Sequence, residues 1–333
     1  MPTTNDRHAA TLAAYLALAL VWGSSFLLMK VALGAFTPAQ VALGRILIGA
    51  ATLTALMLVT RRAWPRERRL WAHLTVVAGL LCVVPFLLFA WAGMFLPSGL
   101  SAILNATTPI WTAIATTVAV RGARLTAWQA LGVALGVAGV ALTMGVWRVV
   151  TDPVFLSSLP AQAACLAATA SYGLAFAWMQ RFVTGRHRHD PLAVASVQLV
   201  AAAGIAVVLV PFVAVTPVVL DAVPVLSLLA LGVLGTGLAY VWNTRVIVAW
   251  GSLAAATVTY LTPLVGVVLG AVLLNERLGW HEPAGAVVVV LSVMLVQRRF
   301  DPVLARFRSA RARWRSRAGG SDAAPRESAR NVS

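Results

Sequence analysis

The 333-residue sequence has little charge and almost no lysine. Charged residues make up 11% and hydrophobic residues 60% of the chain, whereas soluble domains average about 25% and about 45–50%. The core of a soluble protein could not bury this apolar excess, so we predict that lipid is the main solvent of the folded chain. Of the 26 basic residues only Lys30 is a lysine, and ten of the arginines follow residue 297.

The sequence also lacks cysteine frameworks and catalytic motifs. Its two cysteines, Cys82 and Cys165, lie inside apolar segments and indicate neither a disulfide framework nor a metal site. There is no G-x-x-x-x-G-K-[ST] motif and no H-E-x-x-H motif, because His281-Glu282 is followed by Pro283. No histidine lies at membrane depth to activate a serine. We therefore predict no catalytic residue, no metal and no cofactor, and we do not expect an enzyme.

Ten apolar segments account for most of the chain. A transmembrane helix needs about 20 apolar residues, and charges and Pro/Gly breaks divide the sequence into pieces near that size. The first segment is too long for the core of a signal peptide and lacks a small-residue cleavage site. We predict an all-α membrane protein with spans at 11–30, 38–60, 71–93, 99–120, 127–147, 159–180, 191–213, 222–245, 251–274 and 280–297.

The basic residues are distributed unevenly between the two sides of these spans. With the N-terminus in the cytoplasm, 22 of them are cytoplasmic, Lys30, Arg148 and Arg277 are outside, and Arg45 lies within a span. Cytoplasmic loops of membrane proteins carry an excess of Arg and Lys. The distribution predicts a multi-pass protein of the inner (plasma) membrane with both termini in the cytoplasm.

Two proline-containing segments repeat one design 154 residues apart. Pro109 lies in the middle of segment 101–116, and Pro263 lies in the middle of segment 255–270. Proline has no N–H to donate to the carbonyl four residues earlier, so each one is predicted to interrupt its helix. Five spans per repeat is an odd number, so the second repeat enters the bilayer upside down. The sequence predicts two inverted five-helix repeats around a central cavity, with the site near mid-depth.

This repeat defines the predicted organisation of the chain. We predict a cytoplasmic N-terminus (1–10), a first five-helix repeat (11–147), a linker (148–158), a second five-helix repeat (159–297) and a basic, disordered cytoplasmic tail (298–333). The tail either only fixes the topology or also binds anionic lipid headgroups. No aromatic platform or fold motif accompanies its arginines, so we do not expect nucleic-acid binding.

Arg45 is the one charged residue well inside a predicted span. On insertion scales an arginine at the centre of a membrane helix costs roughly 2.5–3.5 kcal/mol, so it needs a partner or a wet cavity. Two interpretations remain open: an anchor for a substrate carboxylate or phosphate, or a structural arginine bonded to backbone carbonyls. Its repeat counterpart is Gln198, so the halves differ in charge at this position.

Neutral polar and aromatic residues line one face of several other spans. Thr236, Tyr240 and Asn243, for example, follow the i, i+4, i+7 spacing of one helix face. We predict that such faces bind the substrate, although each residue could instead make only interhelical contacts. The candidate substrate-binding residues are Trp22, Ser25, Arg45, Asn105, Thr108, Tyr172, Tyr240, Asn243, Thr259 and Thr262, with helix breaks at Pro109 and Pro263.

Acidic residues are absent from the middle of every predicted span. Glu276 and Glu282 flank the turn before the last span and are predicted to be loop or helix-start residues. A proton-coupled pump often has a buried carboxylate, so a carboxylate relay at mid-depth is disfavoured.

Taken in order, several short motifs resemble the EamA-like family of the drug/metabolite transporter superfamily. The resemblance covers nearly the whole chain to Gln297. It departs from the family at 121–124 (RGAR), where members commonly have a Glu after the fourth span. The motifs are Trp22-Gly23-Ser24-Ser25-Phe26, Pro38 followed by Arg45, LGTGLAY at 234–240, and YLTP at 260–263 running to NERL at 275–278.

The resemblance implies alternating access around a central cavity lined by spans 1, 3, 4, 6, 8 and 9. Family members move amino acids, other metabolites or drugs, often outward. We therefore expect a secondary transporter that exports small metabolites, either amino-acid-like or amphipathic compounds. The alternative within transport is multidrug efflux, and the alternatives outside it are a membrane-embedded enzyme and a non-transporting scaffold.

Overall fold

The protein folds as a set of apolar helices joined by short loops. The structure is a computed structural model that describes residues 4–119, 125–147, 153–183, 190–213, 215–218, 221–250 and 258–296. All regular secondary structure in these residues is helical. The helices are α1 (Thr4–Ala32), α2 (Pro38–Val59), α3 (Arg68–Ala78), α4 (Val84–Ala92), α5 (Ser98–Asn105), α6 (Thr108–Ala119), α7 (Ala127–Met144), α8 (Pro153–Phe182), α9 (Pro191–Val213), α10 (Ala222–Gly232), α11 (Ala239–Trp250), α12 (Val258–Leu273) and α13 (His281–Val296).

These helices occupy the ten predicted segments, and the all-α prediction is confirmed for the described residues. The π-helical turn Gly79–Val83 joins α3 to α4, and the π-helical turn Val233–Leu238 joins α10 to α11. Among the residues that the structure describes, six segments are long and apolar enough to cross a membrane, and Leu261–Leu273 and His281–Leu295 are shorter apolar helices. The six are His8–Ala32, Pro38–Val59, Arg68–Ala92, Ala127–Met144, Leu192–Val213 and Ala222–Asn243.

Two helices begin at capping boxes that the sequence provides. Thr37 Oγ1 accepts a hydrogen bond from the Gln40 N–H at 3.3 Å, and the Gln40 side chain accepts one from the Thr37 N–H at 2.8 Å. Thr126 and Gln129 form the same box at the start of α7. Such boxes satisfy N–H groups that the first helical turn leaves without partners. The first box places Arg45 about 10 Å along α2.

The helices of the two halves pack against each other in a reciprocal pattern. In the first half, α1 contacts α11 and α12, and in the second half its counterpart α8 contacts α4 and α6. Two further contacts pair counterparts directly, since α2 packs against α9 and α7 packs against α13. The same set of contacts is therefore used twice to join the halves.

Two glycines permit close contacts of this kind between α1 and α12 and between α8 and α6. A Cβ on Gly23 would lie 2.5 Å from the Cβ of Val265, and a Cβ on Gly173 would lie 2.6 Å from the carbonyl carbon of Trp111. Real side chains do not approach so closely, so these positions require glycine. Val265 follows Trp111 by 154 residues, the proline offset, so the two contacts are repeat counterparts.

The buried core lies between the halves rather than inside each of them. One cluster of buried residues joins Phe26 and Phe89 of the first half to Cys165 and Leu231 of the second. Another joins α2 and the first π-helical turn to α9 through residues that include Ile46. A site built at this interface is thus supported by well-packed helices from both sides.

Several predicted features fall outside the described residues. They include the tail after residue 296, with its expected lipid contacts, and the linker residues 148–152. The loop arginines Arg121, Arg124, Arg148, Arg186 and Arg188 also lie there. Within the described residues, Arg62, in the loop after α2, forms an ion pair with Asp190, which directly precedes α9.

Candidate functional site

Two π-helical turns occupy equivalent positions in the two halves. Gly79–Val83 and Val233–Leu238 begin 154 residues apart, which is also the spacing between Pro109 and Pro263. Each turn packs against the opposite half, because the first contacts α8 and α9 and the second contacts α1 and α2. Single π-helical turns are rare within α-helices and are frequent at functional sites. Their matched positions make the residues around them candidates for a functional site.

Arg45 of α2 binds the second π-helical turn. Its Nε–H donates to Thr236 Oγ1 at 2.8 Å, and its Nη2 donates to the Gly235 carbonyl at 3.5 Å. The guanidinium carbon lies 4.0 Å from the centre of the Phe86 ring, a cation–π geometry. Thr236 Oγ1 in turn donates to the Leu231 carbonyl at 3.2 Å. The half-buried Arg45 therefore joins α2 and α4 of the first half to the second half.

The charge of Arg45 has no acidic partner within the described part of the chain. The two ion pairs found there, Lys30 with Glu276 and Arg62 with Asp190, both lie near helix ends. A guanidinium has five N–H donors, and hydrogen bonds to described residues use two of them. Burying a charge is costly unless it is paired. The site thus presents a cation with donor capacity to spare.

Tyr240, Gln198 and Cys82 extend this polar group. The side-chain amide of Gln198 donates to the Tyr240 hydroxyl at 3.3 Å and lies 3.5 Å from Cys82 Sγ. Arg45 lies within electrostatic range of Tyr172, Cys82 and Tyr240. These contacts combine residues of both halves at one place. We refer to Arg45, Phe86, Gln198, Thr236 and Tyr240 as the Arg45 cluster.

The fourth segment is interrupted beside Pro109, where the sequence predicts a break. Helix α5 ends at Asn105 and α6 begins at Thr108, and the Thr108 hydroxyl donates to the Asn105 carbonyl at 2.8 Å. That hydroxyl replaces the N–H that the proline lacks. Thr107 Oγ1, between the two helices, lies 3.1 Å from Thr169 Oγ1 of α8. The break is thereby attached to the second half.

Pro263 does not interrupt its helix, so the predicted second break is wrong. It lies inside α12, which is continuous over Val258–Leu273. A membrane helix tolerates an internal proline when neighbouring helices hold it, and here Gly23 lets α1 pack closely on this stretch. A Cβ on Gly23 would lie 3.1 Å from the Thr262 carbonyl. The two halves therefore differ, with a broken helix in one and a continuous helix in the other.

Arg45 and three more of the ten candidate residues come together at one place. Tyr240 belongs to the cluster, and Tyr172 lies within electrostatic range of the guanidinium. Ser25 is buried, and a Cβ on Gly235 would lie 3.2 Å from its Oγ, so α1 reaches the same π-helical turn. Ser25 Oγ itself donates to the carbonyl one helical turn earlier, at 2.9 Å.

The other six candidates are not brought into this group by any described contact. Asn105 and Thr108 lie at the α5–α6 junction. Trp22 packs in a separate apolar cluster with residues of α11 and α12, Asn243 is half-buried on α11, and Thr262 is buried on α12. The side chain of Thr259 lies outside the described residues.

Three members of the Arg45 cluster, Phe86, Gln198 and Thr236, are absent from the ten candidate residues, although Thr236 lies on a helix face predicted to bind the substrate. The sequence contains a signal for each of them. Thr236 precedes the candidate Tyr240 by one helical turn, and Gln198 is the repeat counterpart of Arg45. Phe86 is likewise the repeat counterpart of Tyr240, 154 residues earlier, but a phenylalanine in an apolar helix usually only packs.

A second polar group, which we call the Glu276 junction, joins three helix ends. Glu276 Oε1 accepts from the Ser98 N–H at 2.7 Å, and Oε2 accepts from Ser98 Oγ at 2.9 Å and from the Gly99 N–H at 3.2 Å. Lys30 Nζ lies 3.2 Å from Oε1 and donates to the Leu96 carbonyl at 2.9 Å. Burial alone would raise the pKa of Glu276, but these hydrogen bonds and Lys30 lower it below its ordinary value.

Comparisons with known proteins give the family from one match and support the fold from another. The model of the EamA-like transporter family matches residues 9–145 and 159–298. Among solved structures, 26 chains match. One of them has a TM-score of 0.60 and 17% identity to this chain, and its title reads only "Crystal structure of protein". The match covers 86% of this chain and 98% of that one, and at this identity it shows the fold alone. No match was found among curated proteins.

Proposed function

Because this chain belongs to the EamA-like transporter family, we propose that it is a secondary transporter that exports small metabolites. Family membership makes it a multi-pass membrane protein and indicates that it moves small molecules. The observation that supports the finer proposal is the Arg45 cluster, in which α2 and α4 meet α9, α11 and the second π-helical turn. Transporters with repeated halves commonly bind solute at such an interface. The proposed solutes are amphipathic or amino-acid-like compounds.

The proposed mechanism is alternating access by rocking of the two halves. The contacts at Gly23 and Gly173 are repeat counterparts, so one can loosen while the other stays closed. In an inverted arrangement these two events open opposite ends of the interface. The Arg45 cluster then faces one side of the membrane at a time. The interrupted α5–α6 junction gives the fourth segment a point at which its ends can move separately.

We propose ten spans in two inverted repeats, with both termini in the cytoplasm of the inner membrane. Single cysteines at Arg66 and Arg186 are then expected to react with an impermeant thiol reagent from the cytoplasmic side, and one at Arg277 from the outside. Cys82 and Cys165 are buried and should give little background. Labelling of positions 66 and 186 from opposite sides would contradict the inverted arrangement.

Transport itself is tested by flux into proteoliposomes with a panel of labelled amino acids, organic acids and lipophilic cations. An accepted solute should cross faster than in empty vesicles and be recovered chemically unchanged, as a transporter rather than an enzyme requires. We expect Tyr240→Phe and Asn105→Ala to reduce this flux. Arg277→Gln, in an exposed loop position, is the control. No flux for any solute contradicts transport, and full flux in both variants removes these residues from the site.

A further inference from the structure

We propose that the solute is a small organic anion, a monocarboxylate with an apolar or aromatic body, whose carboxylate binds Arg45. This inference rests on the proposed transport function and names its substrate class. The evidence for it is that some of the N–H groups of the Arg45 guanidinium are hydrogen-bonded to described residues and others are not. The Nε/Nη2 edge faces Thr236 and Gly235, whereas the Nη1/Nη2 edge retains N–H groups that no described residue accepts.

That remaining edge has the geometry that carboxylates prefer. Two parallel N–H groups of an arginine can bind both oxygens of one carboxylate, and such paired bonds add geometric specificity. The edge held by the π-helical turn fixes the orientation of the guanidinium, and the ring of Phe86, 4.0 Å away, supports one of its faces. The donor fork is therefore positioned before a ligand arrives, which reduces the ordering cost of binding.

The sign of the charge selects anions over cations. No described carboxylate lies near Arg45, so a bound anion would give the guanidinium the negative partner that the described residues do not provide. An ammonium or lipophilic cation would be repelled by the same uncompensated positive charge. A zwitterion would find a site for its carboxylate but no acidic residue for its ammonium. The described acidic residues lie in loops or at helix starts, at Asp6, Glu67, Asp190, Asp221, Glu276 and Glu282.

The surroundings of the charge favour one carboxylate over a phosphate. Among the described helices, only Arg45 and Arg245 are Arg or Lys residues well away from a helix end, and Arg245 is exposed whereas Arg45 is half-buried. A doubly charged phosphate would call for a second cation beside Arg45.

Aromatic rings lie around this charge: the Phe86 ring centre is 4.0 Å from the guanidinium carbon, and Tyr172 is within electrostatic range of it. The Phe89 ring lies 6.2 Å from that of Tyr172 and 5.2 Å from that of Phe26, so the aromatic group continues away from Arg45. The neutral groups of Gln198 and Tyr240 are the nearby polar contacts.

The experiment compares three probes that share a phenyl ring and differ in charge: 3-phenylpropionate, phenylalanine and 2-phenylethylammonium. Binding to the full-length protein in nanodiscs is measured by the ligand-induced shift in thermal unfolding and by titration calorimetry. We expect 3-phenylpropionate to bind at least about tenfold more tightly than 2-phenylethylammonium, with phenylalanine between them. Absence of 3-phenylpropionate binding, or equal or tighter binding of the cation, would overturn the proposal.

Variants then connect the preference to Arg45. Arg45→Gln should abolish the difference between anion and cation, whereas Arg45→Lys should keep its direction with weaker anion binding, because lysine retains the charge without the fork. Arg277→Gln should leave the series unchanged. If Arg45→Gln folds and still prefers the anion, the guanidinium is only structural and the proposal is wrong. If Arg45→Gln does not fold, the wild-type series and Arg45→Lys decide the question.

Counterflow in proteoliposomes separates this inference from the transport proposal. If the probes are transported at rates that do not depend on their charge, the anion assignment is wrong but the transport proposal still holds. Charge-selective binding without any flux would overturn transport and leave the binding site standing.

Discussion

Lys30 and Glu276 lie in different halves of the chain and form an ion pair, with Nζ 3.2 Å from Oε1. The Glu276 side chain is only 8% exposed, whereas that of Lys30 is 34% exposed. The same carboxylate accepts hydrogen bonds from the first residues of α5, where N–H groups lack helical partners. One acidic residue in a loop therefore holds the end of α1, the start of α5 and the end of α12 together.

Replacing Glu276 by Gln should destabilise the protein, because the amide removes the charge and one acceptor oxygen. Hydrogen bonds to charged groups contribute about 1.5–3 kcal/mol each, although ion pairs to a partly exposed Lys30 contribute less. We expect a lower thermal unfolding midpoint in detergent, of a size consistent with a loss of about 1.5–3 kcal/mol. The neighbouring exposed Arg277→Gln variant is the control. Equal midpoints for Glu276→Gln and wild type would contradict this role.

The pH dependence of stability should report the same carboxylate. The pKa of Glu276 is lower in the folded protein than its ordinary value, so its contribution is complete above the unfolded pKa of about 4.3 and is lost as the pH falls through the folded pKa. We expect the stability difference between wild type and Glu276→Gln to be constant from pH 7 to 6 and to shrink below about pH 4. A difference that grows on acidification would reverse the sign and contradict the assignment.

The fold was largely predictable because membrane helices can be recognised in a sequence by their length and hydropathy. Charges and Pro/Gly breaks placed all ten helical segments, since a bilayer requires long apolar runs. The outcomes at Pro109 and Pro263 show the limit of this reasoning. Both prolines remove one helical hydrogen bond, but whether the helix breaks depends on the neighbouring helices, which local sequence does not specify. The Thr108 hydroxyl completes the break in one case, and close packing by Gly23 accompanies the continuous helix in the other.

The site was less predictable than the fold. Arg45 was conspicuous because a charge inside an apolar span is rare, and Tyr240 followed from helical spacing. Their convergence with Gln198 and Phe86 depends on cross-half packing and on a π-helical turn at Val233–Leu238. A π-helical turn changes the faces of the residues after it relative to those before it, so regular 3.6-residue spacing does not relate the two sides of the turn.

The close approach at Gly173 predicts a steric penalty for the smallest added side chain. A Cβ there would lie 2.6 Å and 2.8 Å from backbone atoms of Trp111 and Thr112, which cannot rotate away. We expect Gly173→Ala to destabilise the protein by about 1–3 kcal/mol, the usual cost of overpacking. Gly204→Ala is the matched control, since no atom lies within 4 Å of a Cβ at that position. Comparable unfolding midpoints for the two variants would refute the tight contact.

Thr236 should influence solute binding through Arg45. Thr236→Val removes the acceptor 2.8 Å from Arg45 Nε and leaves that N–H without its partner, which costs about 1–3 kcal/mol. The guanidinium then loses its fixed orientation, so we expect weaker binding of 3-phenylpropionate together with lower stability. Thr236→Ser keeps the hydroxyl and removes only the methyl group, and should bind the anion nearly as wild type does. If the valine and serine variants bind equally, the hydrogen bond does not orient Arg45.

The unequal prolines predict unequal effects on transport. Pro109→Ala restores an N–H that can bond the Asn105 carbonyl in place of the Thr108 hydroxyl, so α5 and α6 can merge into one helix. We expect this variant to keep or gain thermal stability, because proline is unfavourable within a helix by about 3 kcal/mol, and to lose flux, because the junction no longer bends. Pro263→Ala, made in an already continuous helix, should change flux less. Solute flux is measured for both variants and wild type in proteoliposomes prepared in the same way. Equal loss of flux in the two variants would show that the break at Pro109 has no special role in movement.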